Sequence, residues 1–351
     1  MLEKLISQLA ARQPLADAQV HVAVEQLADE KVPAAVKASF LTELAQKGET
    51  PDEISAFARA LRDKSIVPPF DPAWREAREI LDVVGTGGDR LGTFNISTAA
   101  ALICAAAGVT VAKHGNRAVT SQAGSADVLE ALGVRIDLTP AKAVRALRER
   151  GFAFFFAPAW HPAFKHIAPA RKLCAERGQR TIFNYLGPLL NPARPSAMLA
   201  GVPRPGLCEP LARVLQSLGV RRAMVVSGEV QSPKSKVPSA IDELSTLGEN
   251  TIAEFYQERG FATSTLSPEQ FPLQRATLAD LVGGDRHANA EIIRRLFRGE
   301  ERGPKRDAVL LNSAAALFVA GKTKSLTEGW DLAGRTIDSG QANAKLEELT
   351  R

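Results

Sequence analysis

The run Ile80-Leu81-Asp82-Val83-Val84 stops at Gly85-Thr86-Gly87-Gly88-Asp89, and a second apolar segment starts near Ser97. A short apolar run that ends in glycines reads as a buried strand, and the segment from about Ser97 to Ala107 reads as a buried helix. The same order then repeats. Val109 to Lys113 predicts a strand, 125–132 and 140–150 predict helices, and Phe152 to Phe156 predicts a strand. Met198 to Ala200 and Arg222 to Val226 predict strands around a helix at about 207–218. Strands alternating with helices imply a mainly parallel sheet covered by helices.

Upstream the pattern is helical only. Leu2, Leu5, Ile6 and Leu9 share one helical face, and Ala16 to Leu27, Ala34 to Ala45 and Asp52 to Leu61 follow. Thr50, Pro51 and Glu53 form a start signal: a side-chain cap, a proline at the first helical position and an acid at the third. Val67-Pro68-Pro69-Phe70-Asp71-Pro72 breaks the periodicity and reads as a linker. The C-terminal stretch predicts helices at 287–298, 307–320 and 325–340. A chain of 351 residues has room for two such parts.

Composition excludes several classes. With 45% hydrophobic and 24% charged residues, this is neither a disordered chain nor a coiled-coil rod. The amphipathic N-terminus lacks the apolar core of a secretory signal, and no stretch approaches the ~18 uncharged apolar residues of a membrane span. The three cysteines, Cys104, Cys174 and Cys208, show no metal-ligand spacing, so free buried thiols in a reducing cytoplasm are expected. The net charge of +5 suits an anionic ligand and is no evidence for nucleic acid.

Two familiar phosphate motifs fail. A dinucleotide fingerprint needs glycine at position 90, where Arg90 stands. Ala320-Gly321-Lys322-Thr323 lacks the first glycine of a P-loop, since Ala316 is there. A phosphate-handling loop still survives. Small residues at 85–88 let backbone N–H groups approach an anion. Thr93, Asn95, Ser97 and Thr98 then place polar groups at a helix start, which favours phosphate. A tight turn with a polar cap is the alternative. Lys113-His114-Gly115-Asn116-Arg117 follows the second strand, where open α/β sheets bind ligands. Thr120, Ser121 and Ser125 add donors at the next helix start. Trp160 and Phe164 offer walls for a flat ligand, and Arg171 offers a fork for a carboxylate. His161 reads as a structural hydrogen-bonder rather than a base. Asp242-Glu243 alone reads as a solvated turn.

Taken in order, Gly85–Asp89, Thr93–Thr98, Lys113–Arg117 and Gly124–Gly133 resemble the anthranilate phosphoribosyltransferase family. Gly48–Ile54, Arg180–Pro192, Asp242–Ser245, Leu311-Asn312 and Ser339-Gly340 extend the resemblance over nearly the whole chain. The resemblance implies an α/β fold: a small helical domain plus a larger α/β domain with a mainly parallel central sheet. It implies a helical dimerisation domain at 1–70 and about 167–193, and a phosphoribosyl-binding domain at about 75–166 and 194–351. It also implies a cytoplasmic homodimer. The implied reaction moves phosphoribose from phosphoribosyl pyrophosphate to the amine of anthranilate, in tryptophan synthesis, with Mg²⁺.

Carried over by position, Gly85, Gly88, Asp89, Thr93, Asn95, Ile96, Ser97 and Thr98 meet the donor. Lys113, His114, Gly115, Asn116, Arg117, Ala118, Val119, Thr120, Ser121 and Ser125 line its phosphates. Gly85, Asn116 and Arg171 hold anthranilate, and Ser97, Asp242 and Glu243 hold Mg²⁺. This reverses the solvated-turn reading of the acidic pair. No residue stands out as an acid or base, as an aromatic amine needs little help. Four features depart from the pattern. Arg90 replaces glycine, and Thr120 with Gln122-Ala123 replaces Ser and Lys-like positions. Trp160 replaces histidine, and the polar loop 231–240 is long. They leave open a transferase or nucleoside phosphorylase of the same fold with another acceptor. A non-catalytic nucleic-acid-binding relative is the most distant alternative.

Overall fold

The computed structural model describes residues 1–118, 122–231 and 239–351. Four helices lead: α1 (Leu2–Ala10), α2 (Asp17–Ala28), α3 (Ala34–Lys47) and α4 (Pro51–Asp63). The Thr50 signal acts as its residue types require. Glu53 N–H donates to Thr50 Oγ1 at 3.2 Å, and Thr50 N–H donates to Glu53 Oε2 at 2.9 Å. Glu53 does more than cap. It takes Lys47 Nζ at 2.7 Å and Leu15 N–H at 2.9 Å, which ties α4 to the end of α3 and to the loop before α2. The proline-rich linker runs into a short α5 (Pro72–Glu76), capped by Asp71.

The α/β part then winds β1 (Ile80–Gly85), α6 (Ile96–Ala106), β2 (Thr110–Gly115), α7 (Ser125–Leu132), α8 (Pro140–Arg150) and β3 (Phe152–Phe156). It continues through α9 (Ala157–Trp160), α10 (Phe164–Glu176), α11 (Phe183–Leu186), β4 (Ala197–Gly201), α12 (Cys208–Ser217) and β5 (Arg222–Val230). Strands β3, β2, β1, β4 and β5 lie side by side and parallel, in that order. Helix α6 is apolar all round because it is buried all round, between the sheet and the C-terminal helices.

Beyond β5 the sheet turns antiparallel: β6 (Ser239–Ile241) and β7 (Asn250–Tyr256) both pair with β5, and β8 (Gly260–Leu266) closes the edge. The sequence reading placed no strand here. For β8 the reason is that it is mostly exposed and its Phe261 and Leu266 are separated by Ala, Thr and Ser, so it carries no apolar run. Helices α13 (Leu278–Leu281), α14 (Arg286–Phe297), α15 (Pro304–Val319), α16 (Leu326–Asp338) and α17 (Gln341–Thr350) complete the chain. The helix expected over 325–340 ends earlier, because Gly340 turns the chain at φ +79° before α17.

The helical part is not sealed off. Ile167, Ala170, Cys174, Ile182, Phe183, Leu186, Leu189 and Leu190 share one apolar core with α1–α4. That core runs on through α12 to Met198, Ala200, Ala223 and Val225 on one face of the sheet. A buried lysine reinforces the join: Lys37 Nζ on α3 donates to Asp29 O at 2.7 Å and to His166 O at 2.9 Å. The three cysteines are buried and free. Among the described residues, no helix is long and apolar enough to cross a membrane.

Candidate active site

The acidic pair lies across β1, β4 and β5 near their carboxyl ends. Gly85 and Gly201 are register partners at the ends of β1 and β4. A Cβ on Gly85 would strike the Asp242 side chain, and one on Gly201 would strike the Asp242 carbonyl. A Cβ on Gly228 in β5 would strike Ser245 and come within 2.7 Å of Glu243 O. Three strands therefore end in bare backbone so that residues 242–245 can lie flush on them. Gly201 and Gly228 escaped the sequence reading. Their only signal is a glycine at the end of an apolar strand.

The pair is not a solvated turn. Asp242 Oδ2 accepts Gly87 N–H at 2.6 Å, and Glu243 Oε1 accepts Ser97 N–H at 3.1 Å. One carboxylate thus caps the glycine loop and the other caps the first turn of α6. Both are packed round by protein and partly open to the cleft. Their carboxyls are raised above the ordinary range, by burial first, and then by Asp89 for Asp242 and by Asp242 for Glu243. Asp89 itself accepts Leu91 N–H at 3.2 Å.

The glycine loop arches over this pair through left-handed backbone at Gly87, Gly88, Arg90 and Gly92. It is braced from the far side of the chain. Thr93 bridges to Val282, Phe94 N–H donates to Leu281 O, and Gly283 N–H donates to Gly92 O. Asn95 Oδ1 accepts Asn289 Nδ2 at 3.0 Å, and Asn95 Nδ2 donates to Ala123 O. Ile96 and Thr98 turn their side chains into the core, so only their backbone is left to face a ligand.

The basic motif is less exposed than its composition suggests. It sits at the carboxyl end of β2, which lies between β1 and β3 rather than at the lateral edge of the sheet. Lys113 is buried, donates to Val83 O at 2.5 Å, and is held below the ordinary lysine range by burial despite Asp82 and Glu243. Asp82 is buried inside β1, accepts Asn191 Nδ2 at 2.8 Å and His114 N–H at 3.3 Å, and is pushed up to about 6 by burial. Arg117 forks onto Asp127 and Glu130 at 2.9–3.1 Å. Asp127 also accepts Ala118 N–H. Asn116 O takes Ala126 N–H, and Ser125 Oγ fills the space beside Gly115. Val119, Thr120 and Ser121 lie outside the described residues, as does the 232–238 part of the polar loop. Of its remaining residues, Ser239 and Ala240 belong to β6.

One expectation for the acceptor side is corrected. Trp160 is 2% exposed and packs on Phe155 at 4.7 Å, inside a separate core under β2 and β3. It walls no ligand. Phe164 is tied up between His161, with rings stacked at 5.0 Å, and Phe183 at 5.7 Å. Arg171 is exposed, and its guanidinium rides over Phe183 at 5.1 Å. Rings thus lead from Arg171 through Phe183, Phe164 and His161 to His114, which meets His161 at 3.3 Å between Nε2 atoms. His161 is 2% exposed.

The chain thus joins a helical bundle to an α/β part whose strand ends carry a glycine loop, a helix start and a docked carboxylate pair, and both parts match glycosyl transferase family models. Residues 3–65 match the family model described as "Glycosyl transferase family, helical bundle domain", and residues 77–343 match "Glycosyl transferase family, a/b domain". An anthranilate phosphoribosyltransferase of Petrotoga mobilis is 47% identical over 93% of this chain and 90% of its own. One of Rubrobacter xylanophilus is 43% identical over 100% and 97%. The crystal structure of the Thermus thermophilus enzyme superposes with a TM-score of 0.84 at 42% identity, covering 99% of this chain and 98% of that one. The Saccharomyces cerevisiae enzyme in complex with PRPP and Mg gives 0.84 at 26% identity, covering 99% and 96%. The chain belongs to the anthranilate phosphoribosyltransferase family.

Proposed function

We propose that this cleft moves the phosphoribosyl group of phosphoribosyl pyrophosphate onto the amine of anthranilate. The carrying observation is the seating of Asp242 and Glu243 against Gly87 N–H and Ser97 N–H, which joins the acidic pair to the glycine loop and to the start of α6. The C1–oxygen bond of the donor breaks through an oxocarbenium-like state, the amine nitrogen bonds to C1, and the amine loses a proton. The site's work is to offset diphosphate charge and to place the amine in line.

The donor set fits Mg²⁺. Two hard carboxylates share a partly closed site in which their own charge is unfavourable, which suits a divalent cation completed by water and phosphate oxygens. In this reading Asp242, Glu243 and Ser97 hold it. When bound, Mg²⁺ supplies positive charge against the departing diphosphate. The glycine loop, the start of α6 and the 115–118 loop line the phosphates, through N–H groups other than those of Thr86, Gly87, Ser97, Arg117 and Ala118, which the protein's own acceptors take. Asn116 and Arg171 orient the acceptor, with the guanidinium available to its carboxylate. A relative bound to 4-fluoroanthranilate supports this acceptor class. The helical part, with 167–193 returning to it, is assigned as the dimerisation domain of a cytoplasmic homodimer.

The deciding experiment is a panel of aromatic amines and nucleobases with Mg²⁺ present, scored by pyrophosphate release. Anthranilate is expected to dominate. A nucleobase turned over as well as anthranilate contradicts the reading.

A further inference from the structure

Two buried asparagines from distant elements grip the two residues that directly follow the acidic pair. Asn312, midway along α15, accepts Leu244 N–H at 2.9 Å and donates back to Leu244 O at 2.9 Å. Its second donor hydrogen goes to Ala308 O at 2.9 Å. Asn250, the first residue of β7, accepts Ser245 N–H at 2.6 Å and donates back to Ser245 O at 3.0 Å and to Leu266 O at 3.2 Å. Both side chains are 0% exposed.

A carboxamide carries an acceptor and two donors in one plane, so it can satisfy both polar groups of one backbone residue. Each asparagine does this, and the residues it grips are consecutive. Ser245 Oγ adds a bond to Glu229 O at 2.6 Å, and Leu244 anchors in the apolar core. From the opposite side, Gly85, Gly201 and Gly228 leave no room for the segment to shift toward the sheet. Residues 242–245 are therefore held on both sides by groups that need no ligand.

We infer that Asn312 and Asn250 are positioning residues that fix the Asp242 and Glu243 carboxylates in their seats against Gly87 N–H and Ser97 N–H before cation and donor arrive. The inference rests on the assignment of Asp242 and Glu243 as the metal-holding pair. Outer groups that orient ligands govern affinity without touching the ion. An asparagine that served only to plug the core would lower stability and leave ion binding alone.

The test uses the full chain and Mn²⁺ as the probe, read by loss of its free-ion paramagnetic resonance signal. Phosphoribosyl pyrophosphate is present and acceptor is absent, so nothing turns over. Asn312→Ala and Asn250→Ala are each expected to raise the Mn²⁺ dissociation constant about tenfold or more. In a Glu243→Gln background Asn312→Ala should add far less, because its target is already lost. Reduced stability with an unmoved Mn²⁺ constant overturns the inference while leaving the carboxylate assignment intact. If Glu243→Gln alone binds Mn²⁺ as the unaltered chain does, the assignment falls and the inference with it. Hydrogen exchange on the unaltered chain decides the point even if the asparagine variants do not fold. The amides of Leu244 and Ser245 should exchange slowly before any metal or donor is added. Fast exchange that slows only after both are added overturns preorganisation.

Discussion

The carbonyl of Asp242 occupies the place where any residue but glycine at 201 would carry its Cβ. The obstacle is backbone, which cannot swing aside as a side-chain tip can. Gly201→Ala must therefore displace the acidic segment or the end of β4. Overpacking of this kind costs about 1–3 kcal/mol, occasionally more. The expected result is a lowered melting temperature together with a raised Mg²⁺ requirement in steady-state assays. Gly219→Ala, in the turn after α12, is the control. Nothing lies within 4 Å of its missing Cβ, but φ is +83°, so strain of about 1–2 kcal/mol is the expected cost. A normal Mg²⁺ requirement in Gly201→Ala contradicts the seating of the pair.

Arg171 tests the acceptor side. It is exposed, and its guanidinium rests on Phe183. A hydrogen bond to a charged partner is worth about 1.5–3 kcal/mol, so Arg171→Ala should raise the KM for anthranilate roughly 10–100-fold. The KM for phosphoribosyl pyrophosphate should hardly move. Equal damage to both constants argues that Arg171 supports the fold of the cleft rather than the acceptor.

What the sequence disclosed follows from which signals are local. The Thr50–Glu53 cap, the strand run into Gly85 and the all-apolar helix from Ile96 each depend on neighbours within a few residues, and each appears where expected. The polar clamps do not. Asn312 reaches Leu244 across 68 positions, and Asn191 reaches Asp82 across 109. In the sequence each is one amide beside apolar residues. Charge in the sequence does not tell which cations are free. Arg117 satisfies Asp127 and Glu130, and Lys113 is buried against Val83 O. A cluster of cations in sequence is not a cluster of free cations in space.

Arg90 sits at φ +61° in the glycine loop, a conformation that costs a residue with a Cβ about 1–2 kcal/mol. Arg90→Gly removes that strain and Arg90→Ala keeps it, while both remove the charge. Denaturant titration should find the glycine variant more stable than the alanine variant by about 1 kcal/mol. If the guanidinium also attracts the diphosphate, the two variants should share one raised donor KM. Equal stabilities in the two variants contradict the strained loop.

Trp160 separates acceptor choice from packing. Truncating a buried tryptophan costs about 3–5 kcal/mol, so Trp160→Ala should melt far earlier than the parent. Below its melting range, its ranking of aromatic amines and bases should match the parent's, because the indole faces Phe155 and not the cleft. A changed ranking in folded Trp160→Ala would return this residue to the acceptor wall.

The His114–His161 contact carries a pH prediction. Burial holds His114 down to about 3, with help from His161, and holds His161 down to about 4. Nε2 meets Nε2, so the contact has room for one shared proton, and His114 Nδ1 already faces Gly187 O at 3.3 Å. Both rings are neutral in the folded protein, while in the unfolded chain they take up protons near 6.5. The unfolded state therefore binds more protons as pH falls below that value. The stability these neutral rings confer is complete above about 6.5 and is lost as pH drops toward 4. Two such groups give a slope of up to roughly 2.7 kcal/mol per pH unit near pH 5. His161→Phe keeps the stack on Phe164 and removes one titrating ring, so it should be less stable than the parent at pH 7 yet lose stability less steeply on acidification. Denaturant unfolding at pH 7, 6 and 5 measures both slopes, and parallel slopes would show that His161 is not held neutral in the folded protein.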